Sequence, residues 1–512
     1  MNRRKVYWLA IAILMVFTFC KSPSTYETVQ VQNPVLPGFY PDPSVCKGPD
    51  GYYMVHSTFG YFPGIPVFFS PDLVHWEQIG HVLTRREQLI VDGHDLASRG
   101  TYAPTIEYHN GKFYVACTEV GQRGNYITVA DDPAGPWSNL YLLPEVDGID
   151  PSLFFDDDGR TYIIFNSNPP NNISLYSGHR TIRMFEMDMN EMKVIGEEKI
   201  LVDGGVYITQ EPEWIEGPHI YKVNELYYLC AAEGGTSVNH RQVIFRSENI
   251  WGPYVPWEKN PILTQMHLNP NRPNPVTSTG HADLIQDLQG NWWAFFLACR
   301  PYEGNHYNLG RETFIAPVEW VDGWPVINPD VEEVQYSYNF GAALPRPEGY
   351  LPLNGNFIRQ DDFTSAELGF EWLTIRNSTG KWYRLDAQGE GKLVMDVRPF
   401  SDVINGNPSY IGRRQQHLRG NVSTSLTFNP QRSEDKAGLA VLQNVGHFYF
   451  LCKSLEDGQP VVQLFKGEGE GMSLLASAPL MESDGTLKLK IESDFNLYRC
   501  YFATNDETWQ QI

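Results

Sequence analysis

Apolar and polar positions alternate at short period through most of this chain, and one unit of that pattern returns five times. A tight turn leads into an aromatic-rich strand at Gly51-Tyr-Tyr, Gly111-Lys-Phe-Tyr, Gly159-Arg-Thr-Tyr, Glu225-Leu-Tyr-Tyr and Gly290-Asn-Trp-Trp. Four of these turns carry Gly after Asp, Asn or Gln, which suits a hairpin. A second hairpin follows in each of the first four units: VFFSPDLVHWEQIG, YITVADDPAGPWS, MFEMDMNEMKVIGEE and VIFRSENIWGPYV. No stretch reads as a long amphipathic helix. Four strands per unit, repeated around an axis, is the plan of a β-propeller. The pattern therefore predicts an all-β chain with a five-bladed β-propeller over residues 33–327.

Beyond it the pattern changes. Residues 328–357 are rich in Pro and Gly and carry no further unit, so they read as a linker lying against the propeller. From 358 to 512 short alternating strands follow one another, among them GKLVMDVRP, AGLAVLQN, HFYFLCKS, TLKLKIESD and NLYRCYFAT. Their spacing fits an antiparallel β-sandwich. Trp509–Ile512 reads as the start of another hairpin, so the sandwich is expected to lack its last strands. At the other end, Arg3, Arg4 and Lys5 precede an apolar run that stops at Cys20, with a polar spacer over 21–32. That is the form of an export signal, residues 1–20. It resembles the bacterial lipoprotein type, in which Cys20 would be lipidated and the protein anchored in the cell envelope, on the periplasmic or the outer-membrane face.

Composition narrows the function classes. A net charge of -22 argues against nucleic acid as a partner. Aromatic residues at 13% suit sugar stacking as well as a β-rich core. The six cysteines after Cys20 show neither metal spacing nor disulfide-scaffold density, and read as small buried residues. Long loops at 84–101, 166–180 and 264–279 are of the kind that line or cap a pocket.

Counting nine residues back from each of the five turns gives Asp42, Tyr102, Asp150, Glu216 and His281. Equivalent positions in propeller blades face the same axis, so these five are expected to converge. Three are carboxylates, and like charges held together shift each other's pKa values as acid–base chemistry requires. The competing reading for Asp42 and Asp150 is a turn carboxylate before Pro bonding local amides; the shared register argues against it. Glu211 and Glu213 keep the reading of solvated loop acids.

Seven segments in order resemble glycoside hydrolase family 43, close to its β-xylosidases and α-L-arabinofuranosidases. They are GFYPDPS (38–44), STFGYFPGIPVFFSPDLVHW (57–76), DGIDPSLFFDDDG (147–159), EGPHIYK (216–222), AEGGTS (232–237), TGHADL (279–284) and LGRETFIAPVEW (309–320). The C-terminal region resembles the concanavalin-like sandwich of one branch of the family. By this resemblance Asp42 is the general base, Glu216 the general acid, and Asp150 the residue that raises and orients the acid. Phe59, Tyr102 and Thr236 match positions around the bound sugar; Tyr102 stands where many relatives have Trp. Arg311 would hold sugar hydroxyls through its planar fork, the alternative being an ion pair with Glu312. His281 would hydrogen-bond the sugar or ligate a central cation. Ca²⁺ would then be structural; the chemistry itself requires no cofactor.

The implied function is an inverting exo-glycosidase releasing non-reducing-end β-D-xylose from plant xylo-oligosaccharides. The alternative is α-L-arabinofuranose, or both sugars. Inversion places two carboxyl groups about 6.5–9.5 Å apart with a water between. Two rival classes remain: a non-catalytic glycan-binding surface protein, disfavoured by the presence of all three carboxylates, and a retaining glycosidase on the same fold. The sandwich reads as a brace for the propeller rather than as a second sugar site.

Overall fold

The computed structural model describes residues 26–89, 99–376, 380–386, 389, 391–398, 408–469, 471–480, 485–504 and 508–512. The signal segment and Cys20 lie outside them. The described chain is all-β, interrupted by two short 3-10 turns at Pro170–Asn172 and Ile208–Gln210.

Five antiparallel sheets follow one another. Their opening strands are Ser44–Lys47, Thr105–His109 (with Gly100–Thr101 on the same partner), Ile149–Phe155, Glu216–Val223 and Thr277–Gln286. Each opening strand pairs with an aromatic-rich second strand: Tyr52–Val55, Lys112–Val120, Thr161–Ser167, Leu226–Glu233 and Trp292–Cys299. These second strands are buried on both faces, as Tyr162–Phe165 and Ala294–Cys299 show, which explains their continuous apolar runs.

The cores lie between sheets. One core joins the first sheet to the second through Val55, Val67, Phe113 and Val115. Others join the second to the third, the third to the fourth and the fourth to the fifth. A further core packs Met54, Phe68 and Trp76 of the first sheet against Trp293, Phe295 and Ile315 of the fifth. The leading segment seals that last junction. Asn33 Nδ2 donates to the Ile315 carbonyl at 2.8 Å, and Ile315 N–H donates back to Asn33 Oδ1 at 2.8 Å.

Two outer segments depart from the sequence reading or sharpen it. Residues Glu27–Gln32, read as polar spacer, form a strand antiparallel to Ser337–Ala343 of the linker. The linker does lie against the sheets: Phe340 and Ala342 are buried in the core shared by the first and fifth. In the C-terminal region, one sheet holds Arg419–Leu426, Leu487–Asp494, Leu497–Ala503 and Gln510–Gln511. The facing sheet holds Ala437–Asn444, His447–Glu456, Gln459–Glu468 and Gly471–Pro479. Leu451, Val462, Leu489, Ile491 and Phe502 fill the space between them. All six described cysteines are buried and unpaired, as the spacing implies.

Candidate active site

The site is built where the chain enters the opening strands. There the backbone turns through the left-handed region at Asp42 (φ 55°), Asp150 (55°), Gly217 (56°) and His281 (51°). In the third, fourth and fifth sheets the ladder register slips at the same place: between Ile149 and Ser152, Glu216 and His219, and Gly280 and Asp283. A β-bulge adds one residue and re-aims a side chain. The left-handed conformation costs a non-glycine residue roughly 1–2 kcal/mol, so three instances at matching positions are held by their surroundings rather than by local preference.

This backbone signature corrects the nine-residue count. Four positions carry it, Asp42, Asp150, Gly217 and His281; in the second sheet the corresponding residue is Ala103, which precedes Pro as Asp42, Asp150 and Gly217 do but has no left-handed backbone. Tyr102 and Glu216 stand one residue earlier. The cause is turn length: the second and fourth sheets use the two-residue turns Asn110–Gly111 and Asn224–Glu225, while the other three turns are longer. The count was anchored on turns and lands one position early where the turn is short.

The carboxyl groups nevertheless gather at one buried site, with Asp42 and Asp150 each 4% exposed and Glu216 6%, close enough for Asp150 to feel the Asp42 charge and Glu216 to feel both. Burial alone would raise the Asp42 carboxyl. Arg311 Nη1, 3.0 Å from Asp42 Oδ1, and the Ser57 hydroxyl, which donates to Asp42 Oδ2, outweigh it and hold Asp42 below the ordinary aspartate range. His281 Nδ1 lies 3.7 Å from Asp42 Oδ1, and burial pushes that imidazole down to about 4, so it is neutral at pH 7. Asp150 is raised to about 7 by burial and by the Asp42 charge, although Gly217 N–H donates to its Oδ2 at 3.1 Å. Glu216 is raised well above the ordinary range by burial, then by Asp150 and Asp42. One buried cluster thus holds an ionised carboxylate and a protonated carboxylic acid, the division of labour that general acid–base catalysis uses.

Gly217 is required where it stands. A Cβ there would lie 2.7 Å from His281 Nε2, so the glycine lets the His281 ring pack against the residue that follows the acid. Phe59 lies beside this cluster. Its ring stacks on Phe39 (centroids 5.6 Å), meets Tyr102 edge-on (5.4 Å) and lies 5.5 Å from the Arg311 guanidinium. Tyr102 senses the charges of Asp150, Arg311 and Glu216, which places it at the same cluster. Arg311 does not pair with Glu312, the alternative the sequence left open; Glu312 takes Arg300 at 2.6 and 2.7 Å and Gly38 N–H at 2.9 Å. Thr236 is exposed in the loop after Glu233 and, among the described residues, hydrogen-bonds to none of the three carboxylates. Glu211 and Glu213 are exposed.

Ca²⁺ takes roughly six to eight oxygen ligands. Among the described residues no group of three or more His, Cys, Asp or Glu is arranged to hold a metal. The donor set at His281, with the Asp42 carboxylate already engaged by Arg311 and Ser57, does not fit a cation held by protein side chains.

Three site residues escaped the sequence reading. Ser57 orients the Asp42 carboxylate; it begins one of the quoted segments, but a serine at a strand end carries no chemical signal of its own. Trp214, two residues before Glu216, brings its indole close enough to that carboxyl to favour the ionised form against the effect of burial. Arg180 stacks over the Trp214 ring at 3.9 Å and is close enough to Glu216 to feel its charge. A Trp so near the expected acid was the one available clue.

Residues 31–325 match the profile of glycosyl hydrolases family 43, and residues 360–512 match the β-xylosidase C-terminal concanavalin A-like domain. The chain is 39% identical to a "Xylosidase/arabinosidase" of Butyrivibrio fibrisolvens, covering 94% of this chain and 90% of that protein. It is also 39% identical to the "Non-reducing end alpha-L-arabinofuranosidase BoGH43B" of Bacteroides ovatus, over 85% of this chain and 78% of that one. Among solved structures, a "GH43_12 retrieved from capybara gut metagenome" superposes with a TM-score of 0.86 at 36% identity, covering 96% of this chain and 91% of that one. With its buried pair of oppositely set carboxyl groups and a family match across both halves, the chain belongs to glycosyl hydrolase family 43 and is a glycosidase.

Proposed function

We propose that this enzyme removes non-reducing-end β-D-xylose from xylo-oligosaccharides with inversion. Asp42 takes the proton of the attacking water, Glu216 gives its proton to the leaving oxygen, and Asp150 keeps Glu216 protonated. The observation that supports this reading best is the split in protonation: Asp42 is held ionised by Arg311 and Ser57, while Glu216 is held neutral by burial and two neighbouring acids. Phe59, Tyr102, Arg311 and His281 bind the sugar, with Thr236 at the rim. Release of α-L-arabinofuranose is the second reading, favoured by the names of the two relatives at 39% identity.

The five sheets are five blades of a propeller over residues 33–327, joined by the linker 328–357 to the sandwich 358–512. Residues 1–20 direct export, and Cys20 carries a lipid in a bacterial envelope.

The test is release of 4-nitrophenol from the β-D-xylopyranoside and the α-L-arabinofuranoside by the chain without residues 1–20. Asp42→Ala is expected to abolish turnover on the preferred sugar. Glu216→Ala is expected to lose about 100-fold more on xylobiose than on the aryl glycoside, because 4-nitrophenolate leaves with little protonic assistance. NMR of the first-formed anomer reads inversion directly. Activity retained in Asp42→Ala, or a retained anomer, would sink the mechanism; cleavage of neither sugar with intact glycan binding would favour the binding-protein class.

A further inference from the structure

The C-terminal sandwich grips three separate segments that lead to Asp42, Phe59 and Arg311. The Pro37–Tyr40 run leads into Asp42, and the segment around Arg414 lies against it. Arg414 Nε donates to the Phe39 carbonyl at 2.6 Å, and its guanidinium lies 4.2 Å over the Tyr40 ring. Two residues on, Gln416 Nε2 donates to the Pro37 carbonyl at 3.3 Å. Approach is close: a Cβ on Gly38 (φ 90°) would lie 2.7 Å from the Gln415 carbonyl oxygen. The second grip is on the Phe59 loop, where strand Leu373–Ile375 pairs with Tyr61–Phe62 and Arg376 N–H donates to the Gly60 carbonyl at 2.9 Å. The third is on the loop that ends in Arg311, where Asn308 Nδ2 donates to the Phe495 carbonyl and the Tyr498 hydroxyl, both at 2.9 Å.

The first grip bears most directly on the chemistry. Asp42 sits in the left-handed region, a conformation that persists only where the surroundings over-determine it. On its inner side the run before it is tied to the fifth sheet: Gly38 N–H to Glu312, Tyr40 N–H to the Arg311 carbonyl at 3.1 Å, and Thr313 Oγ1 to the Tyr40 carbonyl at 2.8 Å. On its outer side the Phe39 carbonyl is held by Arg414. We propose that Arg414 is a positioning residue for the catalytic base, so that the sandwich serves the reaction by fixing the Asp42 carboxylate against its water as well as by bracing the sheets. This rests on the reading of Asp42 as the base. A misplacement of about 1 Å costs up to about 100-fold in rate, and lysine cannot replace a guanidinium that stacks on a ring while donating from Nε.

The experiment measures kcat and KM of the chain without residues 1–20 on whichever aryl glycoside it cleaves, well below every variant's thermal midpoint. Arg414→Met and Arg414→Lys are expected to lower kcat by about ten- to a hundredfold with KM changed by less than about threefold. Val462→Ala, a cavity in the sandwich core away from the contact, is expected to lower the thermal midpoint and leave kcat and KM unchanged. Unchanged kcat in Arg414→Met overturns the proposal, as does a kcat loss in Val462→Ala that matches it. Should Arg414→Met not fold, Gln416→Ala carries the decision: a kcat loss of about threefold supports the role and an unchanged kcat overturns it. Asp42→Ala is run alongside. If it stays active, the base assignment itself has failed; if it is inactive while Arg414→Met is not, only the positioning role has.

Discussion

Two buried carboxyl groups of similar intrinsic acidity, close enough for one to feel the other's charge, are set to opposite states, and the cause is their neighbours. Asp42 has a guanidinium and a hydroxyl that outweigh its burial; Glu216 has burial and two other acids, which outweigh the Arg311 charge and the Trp214 indole. Asp150 links them, since it feels the Asp42 charge and is felt by Glu216. As pH rises through about 7, Asp150 itself ionises, and its new charge makes the Glu216 proton harder to remove. The two acids therefore titrate as a pair. Asp150→Asn keeps an acceptor for Gly217 N–H and removes the charge. Burial still raises Glu216, so the acid remains functional, but the basic limb of kcat/KM against pH should move down by about one unit. The acidic limb, set by Asp42 with Arg311 and Ser57, should stay where it is. A basic limb that does not move, or moves up, would remove Asp150 from the role of modulator.

At the scale of elements, what could be read from the sequence was what is encoded locally. Turn chemistry and aromatic strands lie side by side in the chain, so all five sheets and their second strands were legible from Gly51, Gly111, Gly159, Glu225 and Gly290 onward. The bulges were not, because a bulge is defined by two strands at once. Nor did the count from the turns allow for the short turns of the second and fourth sheets, so it placed Tyr102 and Glu216 in a row with Asp42 where Ala103 and Gly217 stand. The Pro after Asp42, Ala103, Asp150 and Gly217 would have anchored the register correctly. Glu27–Gln32 was missed for a related reason: its partner, Ser337–Ala343, lies at the far end of the sheets, and half-exposed polar residues signal a strand only once that partner is known. Gly217 tests how far the bulge serves the chemistry. In Gly217→Ala the left-handed φ costs about 1 kcal/mol or more, and the Cβ meets the buried His281 ring. The ring must shift, and with it the environment of Asp42. We expect a fold retained by circular dichroism and a kcat lowered at least about tenfold; wild-type kcat would mean the glycine serves only to relieve packing.

Across the whole molecule, the same burial that tunes the site decides how stability follows pH. Four buried histidines, His56, His81, His240 and His281, are pushed down by burial, the last three to about 3, 4 and 4. Unfolded, each would titrate near about 6.5. Below that pH the unfolded chain takes up protons the fold refuses, so acid destabilises the fold. Asp150, Glu216, Glu107, Glu233 and Glu312 are all raised, chiefly by burial. Their sign is opposite: the fold keeps protons that the unfolded chain releases above about pH 4. That contribution is complete below the unfolded pKa and is lost as pH rises through the folded one. Between about pH 4 and 6.5 the two sets oppose each other; above about 6.5 the histidines contribute little further change while Asp150, near 7, and Glu216 and Glu107, both held well above the ordinary range, go on losing protons. With five raised acids against four histidines, stability should therefore pass its maximum below about pH 6.5 and decline on the alkaline side. Thermal midpoints measured from pH 4 to 9 would show it, and Glu216→Gln, which cannot ionise, should flatten the alkaline decline. A midpoint that keeps rising to pH 9, or an alkaline slope in Glu216→Gln equal to that of the parent, would mean that these acids are ionised in the fold at neutral pH. Glu216 could then not be the proton donor.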